Sequence, residues 1–447
     1  MRKILQLRRQ ITYRQSIFAF LLRAQRLERR FKWLIVLATV AATATMLGAS
    51  PWGRYGVAST VAAGREAVRV VLGLPQPREE VDAAWERSRE LGIEAGRLGL
   101  ARAFAEASPA YQRLMRYAGL DPEHGVLRWG NFNLTLLLPS KVFEAADDGR
   151  SYRFLPRTRS IWLRNVSLKS DVLMFFLVPD GPGLAEAMQG TTCIPVETSR
   201  QTTNSWGLRG HEPDLDAPVR GLILGDSYMQ GMFIGDDETP PECLRRFLEA
   251  RWKKRVSILN TGVMGYSPEQ YYYSLIAFAD RFKPQFVIVS IFTNDFGDLH
   301  EVPGKGLGDW EEGKYWLDRI VEFCRARQWP HVIVPAPYEP GMFAKRRSGN
   351  YPGMISNLVD VNGISFLDPT DAFVDAHLET VVDLERHGQR QQGCLLFNDA
   401  IGDGHFSAAG SKVWASIVGK RLALLIEREQ LIREHTQPRP AAVAAAR

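Results

Sequence analysis

The run Val219-Arg220-Gly221-Leu222-Ile223-Leu224-Gly225-Asp226-Ser227-Tyr228-Met229-Gln230-Gly231 joins a largely apolar hexapeptide to a tight turn and a serine. A short apolar run bounded by turn residues reads as a buried strand. Open α/β sheets present their chemistry just beyond the carboxyl ends of parallel strands. Gly225 permits a sharp turn at that point. Ser227 is then exposed, with its backbone N–H free to bind an oxyanion. On its own this is an ordinary turn signal, so the reading depends on what lies downstream.

From Arg220 onward the pattern alternates. Strands are predicted at Gly221–Leu224, Val256–Leu259, Phe286–Phe292, His331–Pro335 and Ile364–Leu367. Helices are predicted between and after them. Thr239-Pro240-Pro241-Glu242 is a capping box with proline at the first helical position, opening a helix to about Lys254. Ser267-Pro268-Glu269-Gln270 repeats the device and opens a helix to about Arg281, ended by Lys283-Pro284. Trp310–Arg327 and Ala408–Arg433 are two more. Alternating β and α implies an α/β fold, a three-layer α/β/α sandwich around a mainly parallel sheet.

Three downstream segments carry polar groups to the same sheet edge. Asn260-Thr261-Gly262-Val263-Met264-Gly265 follows the second strand, and Gly265 lies just before a helix start, where N–H groups favour anions. Thr293-Asn294-Asp295 follows the third strand, where a side-chain amide can face a developing oxyanion. Asp403-Gly404-His405-Phe406-Ser407 precedes the last helix, and His405 suits a general base. Each alone is also what a plain turn or solvated loop would contain. Together, and in this order, they supply a nucleophile, oxyanion donors and a base.

These four blocks resemble the SGNH/GDSL hydrolase superfamily. The resemblance covers about residues 200–430 and aligns the family's serine, glycine, asparagine and histidine with Ser227, Gly265, Asn294 and His405. The segment Thr203 to Gly210 is similar to the lead-in of membrane-anchored or exported members. The resemblance implies a Ser–His mechanism with an oxyanion hole formed by Ser227, Gly265 and Asn294, and no metal or cofactor. Two departures stand out. Phe292 replaces the glycine of the third block. Gly402 occupies the position of the usual acid, which leaves Asp403 as the expected partner of His405, Asp399 as a second candidate, and a Ser–His dyad as a third arrangement. The expected activity is hydrolysis of acyl esters. The alternatives are O-acyl transfer to a cell-surface glycan, with Trp206, Tyr228 and Tyr266 positioning a sugar, and a non-catalytic module on a degenerate hydrolase fold.

The chain of 447 residues carries a net charge of +6. Residues 1–32 hold ten Lys/Arg against Glu28 alone, so the remainder is mildly acidic, with 46 basic and 49 acidic residues. A basic excess confined to one tail argues against a nucleic-acid partner. The tail abuts the uncharged Trp33 to Ala49, WLIVLATVAATATMLGA. That pairing predicts a transmembrane signal-anchor over 33–50, with 1–32 cytoplasmic and the body periplasmic or extracellular. A cleaved signal peptide is the rival reading. The expected order is then a helical stalk (51–125), a small β-rich subdomain (126–203), the hydrolase domain (204–433) and a disordered tail (434–447). The partners implied are the membrane and an acyl-ester substrate, an acylated glycan or lipid among the options. Cys193, Cys243, Cys324 and Cys394 fit no metal-ligand spacing, and neither require nor exclude disulfides.

Overall fold

Strand β9, Val219–Leu224, alternates its side chains between two faces, and both are buried. Leu222 and Leu224 enter one hydrophobic cluster, and Ile223 enters another. Strand β11, Phe286–Ile291, does the same: Val287, Val289 and Ile291 face one way, Phe286 and Ile288 the other. A strand buried on both sides needs a layer on each. In this computed structural model that need is met by helices on both faces. The structure describes residues 78–130, 135–166, 175–296, 307–337, 365–387, 394–398 and 404–436. The segment 33–50 therefore lies outside the described residues, and among those residues no helix is long and apolar enough to cross a membrane.

The central sheet is parallel, in the order β10-β9-β11-β12, with β10 at Val256–Asn260 and β12 at His331–Pro335. Gly221 lets it close. A Cβ there would come within 2.1 Å of the Phe286 ring on the neighbouring strand. The strand expected at Ile364–Leu367 is reduced, among the described residues, to a single parallel bridge between Phe366 and Ile333.

Helices α5 (Pro240–Trp252), α8 (Thr370–Arg386) and α9 (Ala408–Thr436) cover one face, through Leu244, Leu248, Phe373, Trp414 and Val418. Helices α6 (Pro268–Phe282) and α7 (Leu307–Ala326) cover the other, through Leu275, Phe278, Leu317 and Ile320. The predicted starts hold. The Thr239 hydroxyl accepts from the Glu242 N–H at 3.3 Å, and the Gln270 carboxamide accepts from the Ser267 N–H at 2.8 Å. Both helices end on a left-handed lysine, Lys253 and Lys283.

N-terminal to the sheet lie α1 (Arg78–Glu106) and α2 (Pro109–Ala118), the latter ended by left-handed Gly119. Hairpins β1–β2 (Val126–Trp129, Thr135–Leu138) and β3–β4 (Phe143–Ala146, Ser151–Phe154) follow. Strand β5 (Arg159–Asn165) then pairs antiparallel with β6 (Phe175–Pro179), β7 (Cys193–Pro195) and β8 (Gln201–Thr202), and α3 (Leu184–Met188) lies between β6 and β7. These strands share a core with the α/β layer. Leu138, Phe143, Tyr152, Phe154 and Trp162 belong to the same cluster as Leu222 and Tyr271. The Tyr152 hydroxyl donates to the Met264 carbonyl at 2.6 Å, and Tyr266 returns a bond to the Tyr152 carbonyl.

Candidate active site

Ser227 opens α4 (Ser227–Gln230), a single turn set directly on the carboxyl end of β9. Asp226 caps it, with Oδ1 accepting from the Tyr228 N–H at 3.0 Å. Two small residues allow the approach. A Cβ on Gly225 would come within 2.4 Å of Met229 Cγ, and one on Gly262 within 2.5 Å of the Gln230 nitrogen. Asn260 bridges the same two loops: its Nδ2 donates to the Met229 carbonyl and its Oδ1 accepts from the Gly262 N–H, both at 2.9 Å.

His405 is brought to the serine from 178 residues away. Its Nε2 lies 2.7 Å from Ser227 Oγ, a hydrogen bond of ordinary length. The histidine loop is anchored on three sides. Phe397 and Phe406 form an antiparallel bridge, the Asn398 N–H donates to the His405 carbonyl at 2.9 Å, and the Tyr228 hydroxyl donates to the Gly404 carbonyl at 3.0 Å. Asp403 and Asp399, the expected acids, lie outside the described residues.

Gly265 and Asn294 leave strands β10 and β11, which flank β9, so their loops emerge on the side of the sheet that carries Ser227. Gly265 is left-handed at φ +72°, a conformation glycine adopts freely. Asn294 sits in a 3-10 turn, Thr293–Phe296, and its Oδ1 is buried with no hydrogen-bond partner among the described residues. Carboxamide oxygen and nitrogen are interchangeable in assignment, so this side chain can equally present its N–H₂ there.

Several groups around the site went unread in the sequence. Asp226 is fully buried, and burial pushes its carboxyl up to about 6. Asp295, which accepts from the Tyr271 hydroxyl at 3.0 Å and the Phe292 N–H at 2.8 Å, is also raised, by burial first and then by the charge of Asp226. Arg209 is buried beneath the segment that follows the nucleophile. Its guanidinium donates to the carbonyls of Gln230, Gly231 and Ile234, and to Asp236. No local spacing signals these pairings, which span 21 to 27 residues for Arg209.

The three aromatics expected to position a sugar do not form a platform. Tyr228 and Tyr266 are 3% and 1% exposed, and Trp206 is covered by Phe278 and by Arg281, 3.6 Å from its ring. Core packing claims their faces. Among the described residues, two clusters bring candidate ligand atoms together, Asp121/Glu123/His124 and His211/Asp237/Glu242, but Asp121 already accepts from His124 and Glu242 is held by Arg245. Cavities of about 360 and 500 Å³ lie against other residues, one beside Arg209 and Glu242 and one beside Trp252 and Trp329.

Residues 223–413 match the GDSL-like lipase/acylhydrolase family. No curated protein matches the chain. Among solved structures, the lipase/acylhydrolase from Enterococcus faecalis is similar at 14% identity and a TM-score of 0.33, covering 50% of this chain and 100% of its own. The psychrotrophic esterase EstA from Pseudoalteromonas sp. is similar at 14% identity and a TM-score of 0.32, covering 47% and 98%. Likeness that remote carries no argument about substrate. The match over 223–413 takes in most of the parallel sheet and the loops bearing Ser227, Gly265, Asn294 and His405, and over that span the chain is similar to the GDSL-like lipases and acylhydrolases.

Proposed function

We propose that the protein is a serine ester hydrolase that cleaves acyl esters outside the cytoplasm. The observation that carries the reading is the 2.7 Å contact between Ser227 Oγ and His405 Nε2. In this reading Oγ attacks the ester carbonyl while its proton passes to Nε2. The tetrahedral intermediate collapses, the proton moves from His405 to the leaving alcohol, and water then repeats the cycle on the acyl-serine. The negative oxygen is met by the backbone N–H of Ser227, at the open first turn of α4, by that of Gly265 and by the Asn294 amide. Asp403 is the proposed orienting acid for the imidazole. Hydrolysis is preferred to transfer onto a glycan because the buried aromatics supply no sugar platform.

The test uses p-nitrophenyl acetate and a fluorophosphonate probe. Ser227→Ala is expected to abolish both turnover and labelling while the protein still melts cooperatively. Asn294→Ala is expected to keep labelling but to lower kcat by about 10²–10³, the effect of losing one oxyanion donor. Full turnover by Ser227→Ala removes the nucleophile assignment. The placement outside the cytoplasm rests on the ten cations preceding the uncharged 33–49 stretch. Protease added to intact spheroplasts should digest the body and spare an N-terminal tag, and protection of the body overturns that placement.

A further inference from the structure

The family name spells Gly-Asp-Ser-Leu, and this chain has Tyr228 at the fourth place. It also has Phe292 where the third block usually carries glycine. The two departures meet in space. The Tyr228 and Phe292 rings lie 4.4 Å apart, centroid to centroid. The tyrosine also serves the histidine loop: its ring is 4.7 Å from the His405 imidazole and 4.9 Å from Phe406. Its hydroxyl donates to the carbonyl of Gly404, the residue before the base, at 3.0 Å.

We infer that Tyr228 is a positioning residue for His405, with Phe292 as its backstop, so that the helical turn carrying the nucleophile also holds the general base. The inference rests on the Ser227–His405 reading of the site. A leucine at 228 could pack against the imidazole but could not hold the Gly404 carbonyl. A glycine at 292 would leave the tyrosine ring without its wall. The hydroxyl fixes the backbone at 404, the ring fixes the imidazole plane, and both come from the residue next to Ser227. The serine and its base therefore move together. A misplacement of about 1 Å in a reacting group costs on the order of 10² in rate, so a strut of this kind acts on kcat rather than on substrate affinity.

Tyr228→Phe removes one oxygen and keeps the ring. With p-nitrophenyl acetate, kcat should fall by about 10–100-fold while KM stays within about twofold. The acidic limb of the kcat/KM pH profile should also move, because the imidazole, which interacts with the charge of the buried Asp226 beside Ser227, is held differently. Phe292→Leu should shift kcat and that limb in the same direction, and it is the reading taken should Tyr228→Phe fail to fold. Ser227→Ala is run in parallel. If Ser227→Ala retains turnover, the Ser–His reading itself has failed. If Ser227→Ala is inactive and the variant read keeps wild-type kcat and pH profile, Tyr228 does not position the base. A fall in kcat with an unmoved profile also overturns the inference, since it reports general loosening only.

Discussion

Asp226 sits one residue before the nucleophile, fully buried, with Oδ2 3.5 Å from Ser227 Oγ. Its carboxyl is raised by burial from an ordinary value of 3.8 to about 6. Between those two values the folded protein holds a proton that the unfolded chain has released. Stability from this group is therefore complete below pH 4 and is lost as pH rises through about 6. The full difference is worth about 3 kcal/mol at most, at 1.36 kcal/mol per unit. Asp226→Asn keeps the cap acceptor and cannot ionise. The gap in melting temperature between variant and wild type should therefore widen in the variant's favour from pH 4 to pH 7.5. A gap independent of pH would show that Asp226 does not titrate in this range. At this scale the sequence was legible for Ser227 and His405, because strand-end and helix-start signals flag both. It was silent on the partners. Tyr228 reaches a carbonyl 176 residues away, and nothing in a local window encodes that pairing.

Among the elements, the four parallel strands and the proline-led helices α5 and α6 follow from local chemistry. Apolar runs give the strands, and hydroxyl caps followed by proline give the helix starts. The fifth strand was less legible: Ile364–Leu367 has the apolar pattern, but a single bridge at Phe366 is what the described residues form. The lead-in segment Thr203 to Gly210 had only a resemblance behind it. Its physical role is Arg209, which ties the stretch after the nucleophile by three carbonyls and Asp236. Removing a buried charge from such a set leaves its partners unpaired and costs about 3–5 kcal/mol. Arg209→Ala should lower the urea midpoint accordingly, and Arg209→Lys should recover part of the loss, since lysine restores the charge but not the fork. Equal midpoints for wild type and Arg209→Ala would deny the segment this anchoring role.

At the scale of the molecule, the apolar side chains of the described residues sort into three clusters. One joins the β-rich strands to the α6–α7 face, one lies under α5 and α9, and one lies around α2 and β5. Each contains at least one buried cysteine: Cys324 in the first, Cys243 and Cys394 in the second, Cys193 in the third. Burial raises the thiols of Cys193 and Cys243 and pushes that of Cys324 up to about 12, which suppresses the reactive thiolate. The protein thus carries its own chemical clock for opening. Pulsed with iodoacetamide in rising urea and read peptide by peptide, the three clusters should lose protection at one common midpoint if they form a single cooperative body. Earlier alkylation of Cys193 than of Cys324 would instead reveal that the α2–β5 region unfastens first, with the sheet still closed.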